Sequence, residues 1–386
     1  MKWIRQAANS RLLATLLGVI GLTIALDARL DQIATHVYYD LKHFFEFAEF
    51  AFSPSHFDYY AAVANREYTY AHLPLFPLLL APFHRLALYA GWEPIVMVKG
   101  LVHAFEVATV VLIAIYGRRQ GVPAVPATLL GLAWLAAPWQ FEASALDGHV
   151  TSVAAFFLLA AVLRRDIPWQ AGTLAALATT TRTEFLIAAL AFAGWYVRLG
   201  LRPGLAYAAG GLGVASVIVG PYLLRDAAAL HWGVVGHLQG RGDGLLVLHG
   251  ILPSLSGGVP EALRGPQDWA MPTAVLLATG VGWASRDQGL GLLRASMLYV
   301  LALTLGHGRY FVLPLTAGIV AAATPTRWPW AVLVFLLEFT APIPEGVRWI
   351  IRTTAMVALF AWNPLRAHGS RWSSKVPQPF ETLRRK

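Results

Sequence analysis

The chain has 386 residues, of which 57% are hydrophobic and only 13% are charged. Soluble domains carry about 25% charged residues, so this composition excludes an ordinary soluble protein and predicts a membrane protein with many spans. The absence of cysteine excludes disulfides and thiolate metal sites.

The first predicted element is a membrane span at residues 11–27. Lys2, Arg5 and Arg11 come before it or at its start, as in a secretory signal peptide, but the apolar run ends at Asp27 without a small-residue cleavage site. We therefore predict that this span is retained and that the N-terminus lies in the cytoplasm.

A long segment rich in carboxylates and aromatic residues follows, at residues 28–92. A simple hairpin would connect two spans with far fewer residues, so we predict an extracytoplasmic catalytic loop at the membrane surface. Within it, the apolar stretch 71–90 contains three prolines and is interrupted by His84 and Arg85. We predict that this stretch is an interfacial or re-entrant element.

The rest of the chain contains further apolar segments that are long enough to cross a membrane, or short enough to do so only inside a bundle. These predicted spans are 94–116, 123–141, 148–163, 168–181, 184–198, 203–224, 270–285, 289–306, 309–325, 328–343 and 349–364. Together with the first span they predict an all-α fold: one polytopic transmembrane helix bundle over residues 1–386, with about 12 spans.

Two of these spans, 168–181 and 184–198, are short and flank the polar residues 179–184. Short helices interrupted by polar residues typically line a cavity, because lipid cannot satisfy their loose backbone groups. A second extracytoplasmic loop is predicted at 225–268, where glycine, proline and polar residues are frequent.

The positions of the basic residues determine the predicted orientation, since short cytoplasmic loops carry an excess of lysine and arginine. If 71–90 does not cross the membrane, the basic clusters fall on one side: Arg118, Arg119, Arg164, Arg165, Arg198, Arg202, Arg286, Arg327 and the basic tail at 365–386. Both termini are then cytoplasmic, in a cytoplasmic (inner) membrane. The net charge of +9 is thus a topology signal, and no nucleic-acid partner is expected.

The predicted extracytoplasmic face collects ionisable residues of three kinds. The carboxylates are Asp27, Asp31 and Asp40; the histidines are His36, His72, His149, His231, His237 and His307; the arginines are Arg182, Arg241 and Arg309. A carboxylate can act as general base on a hydroxyl, and arginine suits phosphate oxygens. Ionisable groups at a membrane edge mark a functional site by default.

Three sequence patches resemble motifs of a known family. They are His36-Val37-Tyr38-Tyr39-Asp40 with Glu67-Tyr68-Thr69-Tyr70-Ala71-His72-Leu73-Pro74, then Ser144-Ala145-Leu146-Asp147-Gly148-His149-Val150-Thr151-Ser152, and Gly306-His307-Gly308-Arg309-Tyr310-Phe311. The chain resembles the GT-C superfamily of integral-membrane glycosyltransferases, especially the mannosyltransferases that use a polyprenyl-phosphate sugar. The family's Asp-x-Asp is absent, since Gln32 and Ile33 follow Asp31.

The resemblance implies a role for each matching residue. Asp31 is expected to be the catalytic base, with Asp40 second and Asp27 third. His307, Arg309 and Arg241 would hold the donor phosphate, and His149, Tyr70 and His72 would bind substrate. The reaction implied is inverting transfer of a hexose, with mannose expected first, from a polyprenyl-phosphate donor to a lipid-linked or glycan acceptor.

No cofactor is expected and no metal site is assigned, although dependence on a divalent cation stays an open alternative. A secondary transporter of a small polar or lipid-linked substrate is the alternative function, because broken helices and buried ionisable groups are also typical of transporters. No internal repeat between two halves is visible, and the ionisable residues gather at one predicted edge.

Overall fold

The structure is a computed structural model that describes residues 2–33, 39–63, 73–146, 148–231, 267–303 and 312–329. These residues form helices and contain no β-strand. The prediction of an all-α fold is therefore confirmed for this part of the chain.

The N-terminal half contains nine helices in the described ranges. They are α1 (Lys2–Asn9), α2 (Arg11–Leu30), α3 (Tyr39–Phe50), α4 (Tyr59–Val63), α5 (Leu75–Ala90), α6 (Pro94–Arg119), α7 (Ala124–Ala136), α8 (Pro138–Phe141) and α9 (Thr151–Leu163). Short 3₁₀ and π-helical turns lie at His56–Asp58 and Glu142–Leu146.

The later helices follow the same pattern of short elements. They are α10 (Pro168–Thr181), α11 (Leu186–Leu199), α12 (Leu201–Ile218), α13 (Gly220–Arg225), α14 (Ala227–His231), α15 (Gln267–Ala284), α16 (Gln288–Leu303) and α17 (Val312–Ala322). A 3₁₀ turn at Thr183–Phe185 separates α10 from α11, so the prediction of two short helices around residues 179–184 is confirmed.

Three helices, α2, α6 and α12, are long and apolar enough to cross a membrane by length and composition, within the described ranges. Helices α5, α7, α9 and α17 are apolar but shorter. Ten of the predicted spans coincide with helices, and the stretches 330–343 and 349–364 lie outside the described residues. Association with a membrane follows from these helices, whereas a count of 12 spans remains a prediction.

The surfaces of the long helices suit a lipid environment. Leu12 and Ile24 on α2 are 72% and 66% exposed, and Val217 on α12 is 76% exposed. Soluble monomers rarely expose contiguous apolar patches of this kind, whereas hydrocarbon is the natural contact of such a surface in a membrane.

Glycines allow α10 and α12 to pack with their backbones in contact. A Cβ at Gly172 on α10 would overlap the carbonyl oxygen of Tyr207 on α12, and a Cβ at Gly210 would overlap that of Trp169. Small residues at helix crossings are characteristic of membrane bundles. Gly172 and Gly210 therefore lie at the contact surface between these two helices.

The apolar interior divides into two clusters that share α6. The bundle cluster contains Val110 and Ile113 of α6, packed with side chains of α7, α9, α10, α11, α16 and α17. The aromatic cluster contains Ile95, Val98 and Val102 of α6, packed with α3, α4, α5 and α13. Helix α6 therefore runs as one element through both.

The aromatic cluster contains much of the described part of the segment 28–92. This part of the predicted loop folds into α3, α4 and α5 and buries Phe44, Phe47 and Tyr59 in one cluster with Phe76; its extracytoplasmic position and catalytic role remain predictions. The physical reason is that aromatic residues lie between the carboxylates at spacings that suit one helical face, so burying them outweighs leaving the segment extended.

Candidate functional site

A layer of buried polar side chains lies between the two apolar clusters. Its centre is one face of α6, where Lys99, His103 and Glu106 follow one another at intervals of four and three residues, which places them on the same side of the helix. All three are buried. We call these residues and their partners below the polar layer.

Arg29, in the last turn of α2, pairs with Glu106. The Arg29 Nε donates to Glu106 Oε2 at 2.9 Å and Nη2 donates to Oε1 at 3.4 Å. The same guanidinium donates to the carbonyl oxygens of Leu135 at 2.6 Å and Ala25 at 3.1 Å. Such a network is what a buried charge pair requires, because desolvation is offset only when the remaining hydrogen-bonding groups are also satisfied.

The side chains of His103 and Gln140 complete the contacts of Glu106. His103 Nδ1 donates to Oε2 at 2.7 Å, and Gln140 Nε2 donates to Oε1 at 2.6 Å. Gln140 Nε2 also donates to Ser152 Oγ at 2.6 Å. Glu106 thus gathers groups from α2, α6 and α8, and through Gln140 it is linked to α9.

Lys99 connects two loops to the same face of α6. Its Nζ donates to the carbonyl oxygen of Gln32 at 2.9 Å and to that of Ala145 at 2.8 Å. Gln32 belongs to the turn that follows α2, and Ala145 belongs to the π-helical turn before α9. Lys99 therefore fixes the distance between these two turns.

A second buried network lies at the start of α9. Arg182 Nη1 donates to His149 Nε2 at 2.9 Å, and Arg182 Nε donates to Glu184 Oε1 at 2.8 Å. His149 Nδ1 donates to Thr151 Oγ1 at 2.8 Å. Because Arg182 can only donate, Nε2 of His149 accepts and Nδ1 carries the hydrogen.

The segment 140–152 links both networks. Gln140 contacts Glu106, the carbonyl of Ala145 accepts from Lys99, and the His149 amide donates to the carbonyl oxygen of Ala143 at 2.6 Å. Residues 142–147 connect the predicted spans 123–141 and 148–163. Most of the segment 140–152 is buried, because its polar side chains find partners on α6 and on the 3₁₀ turn after α10.

Asp31, the expected base, lies at the C-terminal end of α2 and is exposed. It comes two residues after Arg29 and directly before Gln32, both of which are held by the polar layer. Asp27, one turn earlier on α2, is also exposed. The position of Asp31 is thus fixed on both sides by buried contacts while its carboxylate stays accessible.

The other expected site residues fall into two groups. Asp40 lies in the first turn of α3, and only its backbone belongs to the described structure. Tyr70, His72, Arg241, His307 and Arg309 lie outside the described residues. The structure therefore places Asp31 and His149 in the two chain segments whose carbonyl oxygens Lys99 binds and leaves the expected phosphate ligands untested.

The sequence interpretation missed Lys99, His103 and Glu106, which it treated as part of the span 94–116. Their spacing carries the signal, because three ionisable residues on one face of an apolar helix indicate a buried polar site. Arg29 and Gln140 could be linked to them only through the fold.

Among the described residues, no group of three or more His, Asp or Glu side chains could hold a metal ion. A comparison of the chain with protein-family models and with curated protein sequences finds no match. The functional argument therefore depends on the residues and their geometry.

Proposed function

We propose that the chain is a membrane glycosyltransferase of the GT-C type, which moves a hexose from a polyprenyl-phosphate donor to a lipid-linked or glycan acceptor at the extracytoplasmic face. The observation that carries the proposal is the position of Asp31, an exposed carboxylate at the end of an apolar helix, anchored beside a buried polar layer. Mannose is the sugar proposed first.

Asp31 is the general base in this reaction. It takes the proton of the acceptor hydroxyl while that oxygen bonds to the anomeric carbon, and the bond from this carbon to the phosphate oxygen breaks. The polyprenyl phosphate leaves with the electron pair and one additional negative charge. Attack from the face opposite the leaving phosphate inverts the anomeric configuration.

The departing phosphate needs positive charge near it in the transition state. Arg309, His307 and Arg241 are proposed for this role, and Tyr70 and His72 for binding the sugar. In the described network both ring nitrogens of His149 are engaged, one by Thr151 and one by Arg182. We therefore give His149 an indirect role, in which it orients Arg182.

Apolar helix surfaces support the proposal, because a polyprenyl chain needs a hydrocarbon environment next to the reacting phosphate. The exposed apolar face of α2 ends at Asp31. A donor whose chain lies along this face would place its phosphate near the end of the helix.

The test is transfer of radiolabelled sugar from polyprenyl-phosphate mannose and polyprenyl-phosphate glucose to a membrane lipid extract, with purified protein in detergent. We expect transfer by the wild-type protein and none by Asp31→Asn. Asp27→Asn is the matched control, since Asp27 is an exposed carboxylate one turn earlier on the same helix. If only Asp40→Asn abolishes transfer, the general base is Asp40 on α3 and not Asp31.

One observation favours a transporter as the second candidate. Glu106 lies midway along the 26-residue helix α6, and an ion pair near the middle of a long apolar helix is typical of transport pathways. Uptake of substrate into proteoliposomes, together with no transfer from either donor, would favour this candidate over the enzyme.

A further inference from the structure

Two buried atoms of the polar layer have no hydrogen-bond partner among the residues that the structure describes. They are Nε2 of His103 and Oε1 of Gln140, in side chains that are 5% and 0% exposed. Buried polar atoms are nearly always hydrogen-bonded, because an acceptor left without a donor loses its contact with water and gains nothing in return. Two such atoms in one network therefore require an explanation.

The neighbouring contacts determine what these atoms can do. Glu106 is a carboxylate that only accepts, so His103 donates to it from Nδ1; in the tautomer that carries its hydrogen on Nδ1, Nε2 is an acceptor. Gln140 must turn its amide nitrogen towards Glu106 and Ser152, which leaves Oε1 as an acceptor. Both unpartnered atoms thus require a hydrogen-bond donor.

The charge of the layer restricts the class of donor. Arg29 already pairs with Glu106 and the layer also contains the buried basic side chain of Lys99, so an added cation would be a further positive charge without its own partner. A neutral group with hydroxyl hydrogens fits better, since each hydroxyl donates one hydrogen bond and the group carries no charge.

The location connects these atoms with the proposed reaction. His103 lies one turn after Lys99 on α6, and Lys99 holds the carbonyl of Gln32, the residue after Asp31. The turn that carries Asp31 therefore lies over the same face of α6. A ligand that reached Asp31 would approach the polar layer from this end.

We propose that Nε2 of His103 and Oε1 of Gln140 form a subsite that accepts hydrogen bonds from hydroxyl groups of the hexose in the lipid-linked donor. The identity of the ligand rests on the proposed function, whereas the requirement for hydroxyl donors rests on the contacts alone. Glu106 orients both acceptors without contacting the sugar, and Arg29 keeps Glu106 in place.

The test measures binding of two lipids to the full-length protein in detergent: polyprenyl-phosphate mannose and polyprenyl phosphate without a sugar. The critical variant is His103→Asn. The Asn amide nitrogen replaces Nδ1 as donor to Glu106, and only the Nε2 acceptor is lost. The control is Thr109→Val, a buried change on α6 that removes only a hydrogen bond to the carbonyl of Phe105.

We expect the wild-type protein and Thr109→Val to bind the sugar-bearing lipid more tightly than the bare lipid phosphate. His103→Asn should weaken binding of the sugar-bearing lipid by roughly threefold to tenfold, as the loss of one hydrogen bond predicts, and leave the bare lipid unchanged. Equal affinity of the wild-type protein for both lipids, or an unchanged preference in His103→Asn, overturns the proposal and leaves buried water as the partner.

Analogues of the donor keep the proposal testable if His103→Asn does not fold. Replacing single hydroxyls of the hexose by hydrogen should weaken binding to the wild-type protein at one or two positions, and no effect at any position overturns the subsite. Transfer is measured on the same preparations. If binding depends on the sugar but no transfer is observed, the subsite is supported and the glycosyltransferase function is contradicted. If transfer is observed but His103→Asn changes neither binding nor preference, the function is supported and the subsite is contradicted.

Discussion

Arg29 and Glu106 form an ion pair that is buried on both sides, with 2.9 Å between the Arg29 Nε and Glu106 Oε2, and it joins the end of α2 to the middle of α6. Removing one partner leaves the other as an uncompensated buried charge. We predict that Arg29→Met or Glu106→Leu lowers the free energy of unfolding by about 3–5 kcal/mol.

The double variant Arg29→Met with Glu106→Leu separates charge from packing. It should recover much of the stability lost in either single variant, because no unpaired charge remains. Denaturant unfolding in detergent measures the unfolding free energies of the two single variants and of the double variant. If the decrease in unfolding free energy of the double variant equals the sum of the two single decreases, the role assigned to this ion pair is contradicted.

Lys99 provides the second prediction. Lys99→Met retains the aliphatic part of the side chain but leaves the carbonyl oxygens of Gln32 and Ala145 without this donor. We predict an unfolding free energy lower by about 1–3 kcal/mol and a decrease in kcat that exceeds any change in KM, because the turn after Asp31 loses its attachment. Lys99→Arg should restore part of the rate, and a Lys99→Met enzyme with unchanged kcat would exclude this positioning role.

A pH prediction follows from Asp58 and Arg225, which connect the 3₁₀ turn before α4 to the end of α13. Arg225 Nε donates to Asp58 Oδ1, and Nη2 donates to Oδ2 at 3.2 Å. The hydrogen bond from Arg225 lowers the pKa of Asp58 below its usual value of 3.8. A lowered pKa in the folded state means that the pair stabilises the protein above the ordinary pKa and that this contribution is lost as the pH falls through the lowered value.

Melting temperatures of the wild-type protein and Asp58→Asn, measured from neutral pH down to pH 2, test this prediction. Their difference should be constant in the neutral range and should shrink below about pH 4, where the unfolded carboxyl becomes protonated. Arg225→Gln should show the same convergence with the wild-type protein. If the difference in melting temperature between the wild-type protein and Asp58→Asn grows as the pH falls, the prediction is contradicted.

The glycine contacts between α10 and α12 provide a matched pair of substitutions. Gly210→Ala should destabilise the protein by about 1–3 kcal/mol, the usual cost of overpacking, because its Cβ would overlap the Trp169 carbonyl oxygen. Gly213→Ala on the same helix meets nothing within 4 Å. It should be neutral or slightly stabilising, since alanine favours a helix over glycine by about 1 kcal/mol.

Thermal unfolding of the two variants side by side measures this difference. Equal effects of Gly210→Ala and Gly213→Ala would mean that close helix packing does not determine stability here.

The sequence predicts much of the helical structure because apolar length is a local property. The spans at 94–116 and 168–181 correspond to α6 and α10, and the break around residues 179–184 follows from polar residues between two apolar runs. Boundaries differ by a few residues, as helix ends usually do.

The candidate site was less predictable, because its partners are far apart in the chain. Glu106 gathers Arg29 and Gln140 from other helices, and no local pattern indicates those pairings. The sequence predicts a loop at 28–92, but the packing of its aromatic side chains with α6 and α13 depends on residues far along the chain. Contacts between residues that are far apart in the chain therefore determine both the polar layer and the packing of the described part of 28–92.

The passage of α6 through both apolar clusters also restricts how this chain can change in length. Each residue added to an α-helix rotates everything after it by about 100° and advances it by about 1.5 Å. One residue inserted between Lys99 and Glu106 would therefore turn the carboxylate away from Arg29 while Lys99 still faced Gln32. Insertions and deletions should be tolerated in the connecting turns but not in this part of α6.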